Sequence, residues 1–97
     1  MRPSEALVKH RDEVLAILAR YPVSNPRVFG SVARGEDTEG SDLDLMVEPV
    51  TGVTTLVDLG LLREELVRVL GKEVDLTTDG SFNPRSARRI QRDLIAL

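Results

Sequence analysis

The sequence predicts an α/β fold, one sheet with flanking helices. Three observations carry this prediction. Apolar residues recur at helical spacing over residues 4–20, 55–70 and 84–96. Between those segments lie short runs that alternate apolar and acidic residues, 43–47 and 73–77. Turn residues separate the two kinds of segment: Asn25-Pro26, Pro49, Gly52, Gly71 and Asp79-Gly80. A chain of 97 residues suits one domain spanning 1–97 with one modest core. Aromatics are only 3% and Trp is absent, so that core is aliphatic.

Taken in order, Ser4 is the expected N-cap of a first helix. Leu7, Val14, Leu18 and Tyr21 form its apolar face, and Pro22 stops it. Asn25-Pro26 reads as a turn, and Arg27-Val28-Phe29 as a short strand running into Gly30. In 43–47, Leu43, Leu45 and Val47 point one way, while Asp42, Asp44 and Met46 point the other. Leu59, Leu62, Leu66 and Leu70 line the second helix, with Gly71 at its C-cap. Val57, Leu61 and Val69 fall outside that stripe and form either a second buried side or an apolar patch. In 73–77, Val74 and Leu76 face the core and Asp75 faces away. The last helix pairs an apolar stripe of Ala87, Ile90, Leu94 and Leu97 with a basic stripe of Arg85, Arg88, Arg89 and Arg92.

Bulk properties narrow the function classes. The net charge of −3 argues against nucleic-acid binding through the whole surface, and the basic stripe reads as a solvated face or a partner contact. With no cysteine, there is neither a disulfide framework nor a thiolate metal site, which fits a cytoplasmic protein. His10 is the only histidine, so no imidazole cluster can hold a metal. No apolar run approaches membrane-spanning length. A domain this small needs a partner to supply part of any large substrate site.

The chemistry concentrates in the acids. Asp42 and Asp44, two apart on a strand, project from one side and repel each other unless a cation joins them. Hard oxygen ligands suit Mg²⁺. If strand 73–77 lies beside strand 43–47, Asp75 joins the pair, and three carboxylates can serve two-metal phosphoryl displacement. Upstream, Gly30-Ser31 follows a strand and opens a short helix. The glycine allows close backbone approach to a phosphate, free N–H groups point outward, and Ser31 adds a hydroxyl. Arg34, one turn on, either reaches phosphate or pins the loop to an acid.

Together, Gly30-Ser31, ten intervening residues and Asp42-Leu43-Asp44 resemble the G-S-x(10)-D-x-D signature of nucleotidyltransferases of the DNA polymerase β superfamily. The run G-S-V-A-R-G-E followed by S-D-L-D-L resembles the smallest branch, the minimal nucleotidyltransferases (MNT). The resemblance implies a mixed-sheet catalytic core that moves AMP from ATP to a hydroxyl and releases pyrophosphate. It implies Mg²⁺ ligation by Asp42, Asp44 and Asp75, with Asp75 also the base for the incoming hydroxyl. It places Gly30 and Ser31 on the triphosphate, with Arg34 nearby; Glu36 belongs to the same run without an assigned role. It further implies a HEPN-domain RNase toxin as partner in a hetero-oligomer, modified on a tyrosine, so that this chain is the antitoxin. Two alternatives stand beside this reading: a non-catalytic antitoxin that blocks its partner by contact, and a subunit of a small-molecule nucleotidyltransferase.

Overall fold

The computed structural model describes residues 1–80 and 83–97. The chain runs α1 (Pro3–Lys9), α2 (Arg11–Leu18), β1 (Val23–Phe29), α3 (Gly30–Arg34), β2 (Leu43–Pro49), α4 (Leu56–Leu70), β3 (Val74–Thr78), α5 (Pro84–Asp93) and β4 (Ile95–Ala96). The sheet is mixed, in the order β3-β2-β1-β4: β2 and β3 run parallel, and the other pairs are antiparallel. The parallel pair is joined by α4, the crossover such a pair requires.

The α4 helix is set at both ends by local chemistry. Thr55 Oγ1 accepts from the Asp58 amide at 3.1 Å, and Asp58 Oδ2 accepts from the Thr55 amide at 2.9 Å, a reciprocal cap. Gly71 closes the helix at φ 65°, its amide bonded to the Val67 carbonyl. Leu62 and Leu66 are completely buried and Leu70 nearly so. They meet Val14, Ile17 and Leu18 of α2 and Leu43, Leu45, Val47, Val28 and Val74 of the sheet in one aliphatic cluster. Val57 and Leu61 are exposed, whereas Val69 packs against this core.

Several expectations are corrected. The first helix is two, broken at His10, whose backbone (φ −110°, ψ 20°) leaves the α region. Both pieces still turn Ala6, Leu7, Val14, Ile17 and Leu18 inward, so the helical spacing survives the break. Ser4 lies inside α1; the N-cap is Arg2, whose amide donates to Glu5 Oε1 at 2.9 Å, with Pro3 as the first helical residue. The second piece ends at Leu18, before Pro22. Asn25-Pro26 is an irregularity within β1, which starts at Val23, and not a turn before it. Asn25 adopts φ 49°, a conformation Asn tolerates better than most residues, and the pairing with β2 shifts register there. The last helix stops at Asp93, and the chain then becomes β4, pairing Ile95 with Val28 and Ala96 with Arg27.

One further residue ties the fold together. Asp37 is buried, and its Oδ2 accepts from the Ser4 amide at 2.9 Å, capping the first turn of α1 from a distant loop. Burial raises its pKa, but hydrogen bonds from the Ser4 amide and side chain and from its own amide outweigh this. The carboxyl is therefore held below its ordinary value. A folded pKa below the unfolded one contributes stability that is complete above the ordinary carboxylate range. That contribution is lost as pH falls through the lowered folded value. Asp37→Ala should destabilise the protein by about 1–3 kcal/mol at pH 7 in urea denaturation, the cost of losing a cap and leaving a part-buried amide unpaired. Wild type and variant should converge in strong acid; an unchanged urea midpoint at pH 7 would refute the role.

Candidate active site

The sheet has two faces. Val28, Leu43, Leu45, Val47 and Val74 fill the core side. On the other side the pairing registers align Phe29, Asp44 and Asp75 in one row and Arg27, Met46 and Thr77 in the next but one. Two of the predicted acids are thus direct neighbours across a parallel pair. Asp42 is exposed and lies just before β2; its charge still acts on Asp44. Met46 shares the acid face as expected, yet it is buried, because α5 crosses there and encloses a cleft of about 180 Å³ lined by Arg27, Met46, Ala87, Ile90 and Leu94.

Gly30 opens α3 at φ 71°, immediately after Phe29, the register partner of Asp44. A Cβ built on Gly30 would stand 3.1 Å from Asp44 Cγ and closer still to Oδ2. The glycine therefore makes room for the Asp44 carboxylate, a use of its small size that the sequence alone did not suggest. Ser31 is half-buried, and its carbonyl accepts from the Glu36 amide at 2.8 Å. Gly35 ends α3 at φ 72°.

The polar spacer carries the chain from Gly30 back to Asp44 and is anchored along its way. Asp37 holds α1, the Thr38 amide donates to Ser41 Oγ at 2.9 Å, and Lys72 Nζ donates to the Glu39 carbonyl at 2.7 Å. The Leu43 amide donates to the Glu73 carbonyl at 2.9 Å, which sets the register that brings Asp44 beside Asp75.

Electrostatics separate the acids from the arginine. Burial, then the charges of Asp75 and Asp42, push the Asp44 carboxyl up to about 6, and a hydrogen bond with Asp75 adds to the effect. Arg34 acts weakly in the opposite direction. It is occupied elsewhere: Nη1 donates to Asp93 Oδ2 at 2.7 Å and Nε to Glu36 Oε2 at 3.1 Å. Those two partners raise its pKa, Asp93 foremost. Of the two roles expected for Arg34, the geometry displays the pin, which joins α3 to the end of α5. Among the described residues no Lys or Arg forms an ion pair with Asp42, Asp44 or Asp75. Among them, too, no three acids close into a ready-made metal cluster. The donor set nevertheless fits a hard divalent cation: oxygen ligands only, and acids that no described side chain engages in an ion pair.

Asp37 is the residue that pattern reading missed. Its only signal was an acid two residues past the loop glycine Gly35, indistinguishable in sequence from the exposed Glu36 and Glu39.

A mixed sheet that sets paired carboxylates beside a glycine-serine turn is the framework of a nucleotidyltransferase. The chain belongs to the nucleotidyltransferase domain family, whose model matches residues 8–97. It is 41% identical over 83 residues to a Methanocaldococcus jannaschii protein provisionally named a protein adenylyltransferase, covering 86% of this chain and 88% of that one. It is 33% identical over 89 residues to the protein adenylyltransferase MntA of Thermococcus cleftensis, covering 92% and 86% of the two chains. A solved structure provisionally described as a minimal nucleotidyltransferase superposes with a TM-score of 0.83 at 41% identity, over 97% of this chain and 95% of that one. The fold alone is shared with a Shewanella oneidensis complex of a tri-AMPylated HEPN toxin with an MNT antitoxin. There the TM-score is 0.64 at 16% identity, over 88% of this chain and 66% of that one. No helix among the described residues is long and apolar enough to cross a membrane.

Proposed function

We propose that this chain transfers AMP from ATP to a tyrosine hydroxyl of a cognate HEPN toxin and so acts as its antitoxin. The observation that carries the reading is the in-register pair Asp44–Asp75 beside Gly30. The relatives named protein adenylyltransferases support a protein acceptor.

In this reading the Gly30–Ser31 turn binds the triphosphate through backbone amides and the Ser31 hydroxyl. Asp42, Asp44 and Asp75 would hold Mg²⁺, which when bound supplies charge neutralisation at the phosphates. Asp75, exposed on the sheet face, accepts the proton of the attacking hydroxyl. The acceptor oxygen bonds to the α-phosphorus, the bond from that phosphorus to the bridging oxygen breaks, and pyrophosphate leaves with its electron pair. Asp44, pushed up to about 6 by burial, by the charges of Asp75 and Asp42 and by its hydrogen bond with Asp75, would be favoured in its ionised form by a bound cation. The chain acts as a single unit over residues 1–97, with the acceptor brought by the partner.

Intact mass spectrometry of the HEPN protein tests this after incubation with the chain, ATP and Mg²⁺. Addition of AMP is the expected result. Tight complex formation without any mass gain would overturn it in favour of inhibition by contact.

A further inference from the structure

α5 presents four arginines on one side. At about 100° per residue, Arg85, Arg88, Arg89 and Arg92 fall within an arc of about 100°, opposite Ala87, Ile90 and Leu94, which line the cleft over the sheet. The stripe runs about 10 Å along the helix. All four are exposed, and among the described residues none forms an ion pair. Asp93, the acid of this helix, is turned to Arg34.

This arrangement works against the helix. Arg85–Arg89 and Arg88–Arg92 are like-charge pairs at i,i+4, and Arg85–Arg88 and Arg89–Arg92 at i,i+3; such pairs destabilise a helix. No residue of α5 is fully buried, and the half-buried Ile90 and Leu94 over the Met46 cleft offset only part of this. The helix is held by its Asn83 cap, which accepts from the Ser86 amide at 2.9 Å, by the Arg34–Asp93 pin and by its apolar side over Met46. Four exposed arginines on one side, without an ion-pair partner among the described residues, make a surface suited to an external anion.

We propose that the arginine face of α5 docks an acidic patch on the protein that carries the acceptor hydroxyl. The proposal rests on the protein-acceptor reading above and adds the surface that recognises that protein. Arginine forks match carboxylates in two-point contacts. The stripe points away from the sheet, so it cannot serve the triphosphate in the same site. The pin at Asp93 joins this helix to α3, the helix that Gly30 opens beside Asp44.

Nucleic acid fits this surface less well. A strand leaving α5 toward the site meets Asp42, Asp44 and Asp75, and the chain as a whole carries −3.

The test compares wild type with R85Q/R88Q/R89Q/R92Q, and with the same four positions changed to Lys. Calorimetric titrations use three probes: a HEPN-domain protein from the same genome, Mg²⁺-ATP, and a 20-nucleotide poly(U) RNA at physiological salt. The expected result is at least a tenfold loss of HEPN affinity in the Gln variant, partial retention in the Lys variant, and unchanged Mg²⁺-ATP binding. Two half-variants, R85Q/R88Q and R89Q/R92Q, keep the test decisive if the fourfold change unfolds α5, each then losing a part of the affinity. Equal HEPN binding by wild type and variants overturns the proposal while leaving the transferase reading standing. RNA binding that disappears in the Gln variant while HEPN binding persists overturns it in favour of nucleic acid. A wild type that neither binds nor modifies the HEPN protein overturns the protein-acceptor reading, and this proposal with it.

Discussion

Asp44→Asn should lower AMP transfer by about 10²–10³-fold, the range for removing one preorganised electrostatic group from an active site, and should at the same time raise thermal stability in metal-free buffer at pH 8. The two effects share a cause. The Asp44 carboxyl is pushed up to about 6 by burial, by Asp75 and by Asp42. An acid whose folded pKa lies above its unfolded value binds protons more readily when folded. It costs stability at pH above the folded pKa, and that cost disappears as pH falls toward the unfolded value. Wild type should therefore gain stability from this group between pH 8 and pH 5, and the Asn variant should lack that gain. Asn keeps nearly the shape of Asp, so the contact with Gly30 is preserved. Melting curves in EDTA at pH 8 and pH 5, beside transfer assays, check both halves. A variant that melts lower than wild type at pH 8 and still transfers AMP would sink the assignment.

The elements that the sequence made legible are those whose neighbours in space are also neighbours in sequence. The α4 stripe and its glycine cap follow from local spacing, and so does the alternation that sets Leu43, Leu45 and Val47 opposite Asp44. The pairing of Asp44 with Asp75 needed one long-range assumption, that the two strands are adjacent, and the parallel register satisfies it. What stayed hidden depends on contacts between distant segments. β4 is two residues long, and its pairing partners lie some seventy positions away on β1. No periodicity can show in so short a segment. Asp37 takes its role from Ser4, 33 positions earlier. The break at His10 leaves the apolar spacing almost intact, so an amphipathic pattern could not reveal it. Asn25-Pro26 suggested a turn because that dipeptide is a common turn signal. In β1 Pro26 sits instead at the irregularity beside Asn25, and its carbonyl accepts from the Leu97 amide at 3.0 Å.

Gly30 and Gly35 form a natural pair for separating backbone strain from side-chain clash. Both have positive φ, 71° and 72°, so alanine at either position costs about 1–2 kcal/mol for the left-handed backbone. Around Gly35 a new Cβ meets nothing within 4 Å, whereas at Gly30 it runs into the Asp44 carboxylate. Gly35→Ala should thus lose stability by the strain alone and keep most of its transfer activity. Gly30→Ala should lose at least as much stability and, in addition, displace Asp44 from the row it forms with Asp75. A misplacement of about 1 Å in a catalytic group is worth roughly 10²-fold in rate, so the activity of Gly30→Ala should fall at least that far below that of Gly35→Ala. Urea denaturation and transfer assays on the two single variants decide the matter. If the two lose activity equally, Gly30 serves only its turn. If Gly30→Ala alone fails, and Mg²⁺-ATP affinity falls with it, then the first glycine of the signature makes room for a carboxylate as well as for a phosphate.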